Sequence, residues 1–382
     1  MKSIKLVLIS ALLLITAACG GGGGGSSTPP TPSTITGVAA AGIIKGGSVK
    51  AFSPYSSVTA ADKKQIGTTA TTLTDGTYSI NLGTYTGPVI VEVSGGSYVD
   101  EATGATVVIP ASAPLRAVAI SASGSVDVAV TPLTDLAAKQ AATLAGIGKK
   151  VTATEIDKAN SQISDLFKVT DIVAVQPLDA SATLVGTDAQ KQYTLALAAL
   201  SQYVAGGSTL TDLATSIDAG GVMTPAEATK VETALSTFIA SGNNLTGVTT
   251  VPDTLQNIGT TTLTLTVALS GTGVKSVDAI INLPAGTSVA ADANGAPLAG
   301  VLTKLITATN YSLEGVTSTG TLHVIFNVAD QASMPAGDIL TIKVDVAAGQ
   351  TAPAASAFTV GDATKLKDVN GAVVSGAAIT LR

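Results

Sequence analysis

Two periods alternate along this chain. Between about residues 35 and 131, short runs of apolar residues at every second position recur at 48–52, 77–82, 89–93, 106–109, 117–120 and 126–130. In Thr77-Tyr78-Ser79-Ile80-Asn81-Leu82 the apolar side chains all fall on one side of a strand, and Asp75-Gly76 supplies the tight turn before it. Short strands at this spacing predict an antiparallel sandwich. From Pro132 to about Asn244 the period lengthens. Leu133, Leu136, Gln140, Leu144 and Ile147 share one helical face behind a Thr131 cap, with Pro132 in the first helical position. Thr152-Ala153-Thr154-Glu155 is a capping box, followed by a face of Ile156, Ala159, Ile163, Leu166 and Phe167. A third helix aligns Tyr193, Leu197, Leu200 and Val204, and a short fourth aligns Leu210, Leu213 and Ile217. Thr224-Pro225-Ala226-Glu227 reads as a second capping box, opening a fifth helix over Val231, Leu235, Phe238 and Ile239. Five amphipathic helices on short connections predict a small bundle. From about Thr250 period two returns, in 263–269, 322–328 and 340–346, enough to close a second sandwich.

The first 18 residues belong to neither pattern. Lys2 and Lys5 precede an apolar run over 6–15, and Thr16-Ala17-Ala18 is a small-residue cleavage site, the anatomy of a secretory signal. That run is shorter than the roughly 20 residues that cross a bilayer. Cys19, the one cysteine in the sequence, follows at once. This arrangement resembles a bacterial lipoprotein signal, although Thr16 stands where that family usually carries Leu. The resemblance implies that Cys19 is lipidated and becomes the first residue of the mature chain. Gly20 after it implies delivery to the outer membrane. The alternative is an ordinary secreted protein with a spare thiol, and a lone exported cysteine is otherwise a liability. Residues 20–33 then form a Gly/Ser/Pro tether, flexible first and stiffer at the prolines. The expected attachment is to a membrane through lipid on Cys19.

The folded blocks carry resemblances of their own. Gly37-Val38, Gly47-Ser48-Val49-Lys50-Ala51 and Thr74-Asp75-Gly76-Thr77-Tyr78 resemble the carboxypeptidase regulatory-like, transthyretin-like sandwich, a folding and spacing module in which no peptidase activity is implied. In the last block, Ile281-Asn282-Leu283-Pro284-Ala285-Gly286, the 322–328 strand, the 337–346 strand and the Asp368-Val369-Asn370-Gly371 turn resemble a cohesin-like sandwich. The fold is implied here, and dockerin recognition is not. The predicted fold class is therefore multidomain and mainly β with an α block. It has an N-terminal antiparallel β-sandwich over 35–131, a central five-helix bundle over 132–246 and a C-terminal cohesin-like or jelly-roll β-sandwich over 250–382.

Composition narrows the chemistry. Of 382 residues, charged side chains are only 12% and aromatics 3%, with one Cys, one His and no Trp. A zinc site wants about four N or S ligands, and an imidazole or thiol triad needs residues this chain barely has. Loss of Lys2 and Lys5 on cleavage leaves 18 basic residues against 26 acidic, a net charge of −8 and no basic run, so nucleic acid is not an expected partner. His323 sits mid-strand on the face opposite Leu322, Val324 and Phe326, where a solvent-facing role is expected. Asp292-Ala293-Asn294-Gly295 and Asp368-Val369-Asn370-Gly371 open like calcium loops. Position twelve of an EF-hand loop would be Thr303 or Ile379 rather than Glu, so both read as Asn-Gly turns and no metal or cofactor is expected. The Gly20–Gly25 run lacks the Lys-Ser/Thr of a phosphate loop, and no G-x-S-x-G elbow occurs. A carboxylate pair could serve glycoside hydrolysis, but Glu92 and Asp100-Glu101 read as solvated strand and turn residues. Tyr55, Tyr98 and Tyr311 are the aromatic side chains available to stack on a sugar, with Tyr311 the best placed.

The expectation is a non-enzymatic, lipid-anchored protein of the outer membrane or cell surface. It would act in adhesion, scaffolding or matrix interaction, with a protein or polysaccharide partner at the C-terminal sandwich. The alternative is a carbohydrate-binding accessory lipoprotein, and a two-carboxylate hydrolase is a more distant rival.

Overall fold

The computed structural model describes residues 32–55, 62–329 and 333–382. Before the first helix lie β1 (Ser33–Val38), β2 (Ser48–Phe52), β3 (Gln65–Thr71), β4 (Thr77–Gly83), β5 (Val89–Ser94), β6 (Ser97–Val99), β7 (Thr106–Val108), β8 (Leu115–Ala119) and β9 (Ser125–Asp127). One sheet runs β4-β1-β9, the facing sheet β3-β2-β5-β8, and β6 and β7 form a separate hairpin. β1 lies antiparallel to β4 and parallel to β9. Strand alternation delivers Ile35, Ile80 and Leu82 from one sheet and Val49, Val91 and Val93 from the other into a common core. Gly37 is required in β1, because a Cβ there would lie 1.9 Å from the Val128 carbonyl oxygen.

The outer face of β2-β5-β8 is not left to solvent. Phe52, Ile90 and Val118 lie in one row across the three strands and pack against Ala138, Ala141, Ile156 and Ala159 of the first two helices. β5 is therefore buried on both faces, and its Val-Ile-Val-Glu-Val run reads as nearly continuous burial instead of alternation.

The helices are α1 (Pro132–Ala145), α2 (Ala153–Leu166), α3 (Asp188–Ala205), α4 (Leu210–Thr215) and α5 (Pro225–Ala240). Thr131 caps α1 as expected, accepting from the Thr134 N–H at 3.2 Å. Glu155 accepts from the Thr152 N–H at 2.9 Å and from its hydroxyl. At α5 the expected capping box does not form. The Thr224 N–H already donates to the Ser216 carbonyl at 3.1 Å, and Glu227 turns instead to the Tyr203 hydroxyl and, at 2.7 Å, to Lys230 Nζ. Two positions of the expected apolar faces also fall outside the core. Ile147 is 91% exposed because α1 ends at Ala145, and Val204 is 44% exposed in the last turn of α3.

The helical core continues into the first sandwich. Ala40, Ile43 and Ala129 belong to the same buried cluster as Leu136, Phe167, Tyr193 and Leu200. The Tyr193 hydroxyl, wholly buried, donates to the Ile172 carbonyl at 2.8 Å and lies 2.7 Å from Thr131 Oγ1. A second cluster between α3 and α5 holds Leu195, Leu235, Phe238 and Leu255.

The last block contains β10 (Thr261–Ser270), β11 (Ser276–Asn282), β12 (Thr287–Ser288), β13 (Leu302–Lys304), β14 (Tyr311–Ser318), β15 (Thr321–Val328), β16 (Gly337–Val346), β17 (Thr359–Val360), β18 (Lys365–Lys367) and β19 (Ala378–Leu381). β12-β16-β10-β19, with β13 added on β16, faces β14-β15-β11-β17, with β18 added on β11. Leu265, Val267, Ile342 and Val344 meet Val277, Ile281, Val324 and Phe326 between the sheets, a core drawn from this block alone. The fold is mainly β with a helical block between two sandwiches, and residues 32–382 pack as one compact unit.

Candidate functional site: the open face of the second sandwich

The two outer faces of the second sandwich meet different surroundings. Outward positions of the β10-β16 sheet turn towards the helical block. Asp345, buried on β16, receives Lys168 Nζ at 2.8 Å and Thr262 Oγ1 at 3.1 Å on Oδ1, and Asn257 Nδ2 at 2.8 Å on Oδ2. Lys168 follows the C-cap of α2 with φ at 54°, a left-handed turn that glycine would make more cheaply. A lysine stands there because its ammonium also reaches the Thr260 carbonyl at 3.1 Å and so closes the junction. Asp165 Oδ2 accepts from the Thr262 N–H at 2.5 Å on the same seam.

Beside this seam lies a cleft of about 730 Å³ bordered by all three blocks. Four of its five carboxylates already hold other parts of the chain, and the fifth, Asp157, is exposed. Asp127 accepts from the Thr36 hydroxyl at 2.5 Å, and Asp171 caps the N–H groups of Val173 and Ala174 at 2.8 and 2.9 Å. Asp165 and Asp345 hold the junction itself.

The opposite outer face, on β14-β15-β11, is open. Register places Val316, His323 and Ile280 in one row and Glu314, Ile325, Asp278 and Lys365 in the next. Val316 is 55% and Ile325 39% exposed. His323 Nε2 lies 2.7 Å from Asp278 Oδ1, bridging the two rows, and both side chains remain accessible. The face thus carries one polar pair beside two exposed aliphatic side chains. No family model, curated protein or solved structure matches this chain.

The residues singled out in the sequence occupy separate places. Cys19 lies outside the described residues. His323 is on the solvent-facing side of β15, paired rather than free. Both Asp-x-Asn-Gly segments are turns. In each, the aspartate Oδ1 accepts two backbone N–H groups, from Asn294 and Ala296 at 2.8 and 2.9 Å and from Asn370 and Ala372 at the same distances. These bonds hold the Asp292 carboxyl below the usual carboxylate range and leave that oxygen committed to the backbone. Asp218 makes the same turn without asparagine, accepting from the Gly220 and Val222 N–H groups at 2.8 Å. Among the described residues, no three His, Cys, Asp or Glu side chains converge as a metal site would require.

Two expectations need correction. Glu92 is not a solvated strand residue. It is 7% exposed, with Tyr55 Oη on Oε1 and Lys63 Nζ on Oε2, each at 2.5 Å. The two-sided coverage of β5 draws it in, and these partners, from outside the strands, could not be paired from local sequence. Asp100-Glu101 is a turn, but not a solvated one, because the tip of the β6-β7 hairpin is plugged into the helical block. Asp100 Oδ2 accepts from the Ser201 hydroxyl at 2.7 Å, and Ser201 Oγ accepts from the Ala102 N–H at 3.1 Å. Glu101 Oε1 accepts from the Gly42 N–H at 2.9 Å, while Oε2 is sealed from solvent without a partner. Burial pushes its carboxyl up to about 7.

The aromatic side chains do not assemble a sugar platform. Tyr55 is spent on Glu92, and Tyr98 is partly buried against the first sandwich core. Tyr311 is 43% exposed, but Lys304 Nζ sits 4.9 Å from its ring centroid, and Phe326 meets it edge-on at 6.2 Å.

Proposed function

We propose that this is a non-enzymatic, lipid-anchored bacterial envelope protein, held at the outer membrane or cell surface through Cys19. It acts in adhesion, scaffolding or matrix interaction through its terminal sandwich. The leader pattern supports the anchor, and no helix among the described residues is long and apolar enough to cross a membrane. The observation that carries the role is the contrast between the sandwich faces. The β10-β16 face is engaged by the helical block at its Thr262–Asp345 end, whereas the β14-β15-β11 face presents Val316 and Ile325 beside the His323–Asp278 pair. The cohesin-like resemblance supports the same sandwich as the interaction module.

The test is a pull-down with immobilised residues 250–382 against envelope and secreted fractions, identifying proteins and glycans alike. Saturable capture of a protein, lost in the variants Val316→Asp and Ile325→Asp, is expected. Capture that survives both variants would move the interface elsewhere, and turnover of a substrate by the full chain would end the non-enzymatic reading. Metabolic labelling with a fatty acid, abolished by Cys19→Ala, is expected for the anchor.

A further inference from the structure

We infer that the outer face of the first sandwich carries a binding site for an oxyanion, the carboxylate or phosphate group of a small ligand, seated between Arg116 and Lys50. The helices cover only part of that face. The Phe52–Ile90–Val118 row is buried under α1 and α2, but the next row, Lys50–Glu92–Arg116, stays at the mouth of a recess of about 360 Å³. Ser94 and Ser112 add hydroxyls to the recess wall. Adjacent strands lie about 4.8 Å apart, so register alone brings a lysine and an arginine to either side of one glutamate.

The charge balance there runs against the rest of the molecule. The whole chain carries −6, yet three cations, Lys50, Lys63 and Arg116, surround the single carboxylate of Glu92. That carboxylate is already answered. One oxygen accepts from the Tyr55 hydroxyl and the other from Lys63, both at 2.5 Å. Lys63 is further fixed by its ammonium standing 4.3 Å from the Phe52 ring centroid and 5.1 Å from that of Tyr55.

Arg116 is not so answered. Its Nε, sealed from solvent, meets Glu92 Oε1 only as an ion pair at 3.5 Å and has no hydrogen-bond partner. Its side chain is 38% exposed and lines the recess, and Lys50 is exposed. A planar guanidinium backed by a fixed carboxylate, with a flexible ammonium opposite, is an arrangement that receives an oxyanion through charge-assisted bonds. A recess of this size admits a monosaccharide acid or a phosphate ester. The site is distinct from the open face of the second sandwich and does not depend on that face being the recognition surface.

The full chain, purified in detergent, would be titrated calorimetrically with D-galacturonate, with inorganic phosphate and with uncharged D-galactose. Saturable binding of one or both anions is expected, with a Kd on the order of 1 mM and no comparable response to galactose. Tighter binding of galacturonate would identify a sugar acid as the ligand class, and tighter binding of phosphate a phosphate ester. Lys50→Glu, a change at an exposed position, should weaken binding by about tenfold or more, and Arg116→Ala by at least as much, with unchanged far-ultraviolet circular dichroism. Failure of both anions to bind, galactose binding as well as galacturonate, or an affinity unmoved by Lys50→Glu in a folded protein would each overturn the inference.

Discussion

The two sandwiches are attached to the helical block by opposite means. The first shares apolar cores with it, since Ile43 and Ala129 lie in the same cluster as Phe167 and Tyr193, and Phe52, Ile90 and Val118 are covered by α1 and α2. The second keeps its inter-sheet core to itself and meets the helices through Lys168, Asp345, Asn257 and Thr262, while Leu255 and Ile258, ahead of its first strand, pack into the helical cores. An apolar junction makes two elements fold as one, because neither can leave without exposing the other's surface. Polar contacts between the sandwich strands and the helices fix orientation while leaving the inter-sheet core complete.

That contrast is sharpest when the chain is divided. Residues 250–382 alone should fold, with dispersed amide resonances and a cooperative melt. Residues 32–131 alone should not, because Phe52, Ile90 and Val118 would lose their cover. A soluble, folded 32–131 fragment would remove the distinction.

Core truncations come next. Phe326→Ala and Phe167→Ala should each cost about 3–5 kcal/mol. The first should loosen only the second sandwich, giving an early transition in denaturant ahead of an unchanged main one. The second should shift the main transition that the helices and first sandwich share.

Removing one partner of the polar junction should cost somewhat less. Lys168→Met leaves the 92%-buried side chain of Asp345 without its cation, an expected loss of about 3 kcal/mol. Asp345→Leu in the same chain should recover part of it, as a double-mutant cycle would show.

Glu101 adds a pH dependence to the first junction. Its carboxyl is raised from an ordinary 4.5 to about 7, so between those values the folded state holds a proton that the unfolded state has released. Stability is fully present below about pH 4.5 and falls as pH rises towards 7, by at most about 3 kcal/mol. Glu101→Gln should flatten that part of the stability profile.

The smallest effects belong to the open face. His323→Ala should change stability by less than about 1 kcal/mol, because its pair with Asp278 is solvent-accessible. A larger loss would mean that the face is structural.

What was legible in the sequence was whatever local chemistry decides. Thr131-Pro132 and Thr152–Glu155 open helices because caps act within one turn, and 322–328 is a strand because its alternation meets a one-sided core. β3 was not legible, since Gln65-Ile66-Gly67-Thr68-Thr69-Ala70-Thr71 is a mostly exposed edge strand with no apolar side to reveal it. The capping box at Thr224 failed for a tertiary reason, Ser216 having taken the N–H and Tyr203 having drawn off the glutamate. The same limit hid the surroundings of Glu92. Tyr55, Lys63 and Arg116 come from three separate segments, and nothing in their spacing pairs them. The open face was half visible: alternation put His323 outward, but only register brings Val316 and Ile325 beside it.

The position of β1 bears on mechanical load. The chain enters the fold at Pro32 and passes directly into a strand held on both sides, antiparallel by β4 along its whole length and parallel by β9 over Thr34, Ile35 and Thr36. Tension applied from the N-terminal side therefore acts along a central strand, which cannot be peeled from an edge one bond at a time. It must be sheared against two neighbours at once, with Ile35 drawn out of the core in the same movement. Load carried in by the anchor proposed above would meet, at this strand, two neighbours that share it.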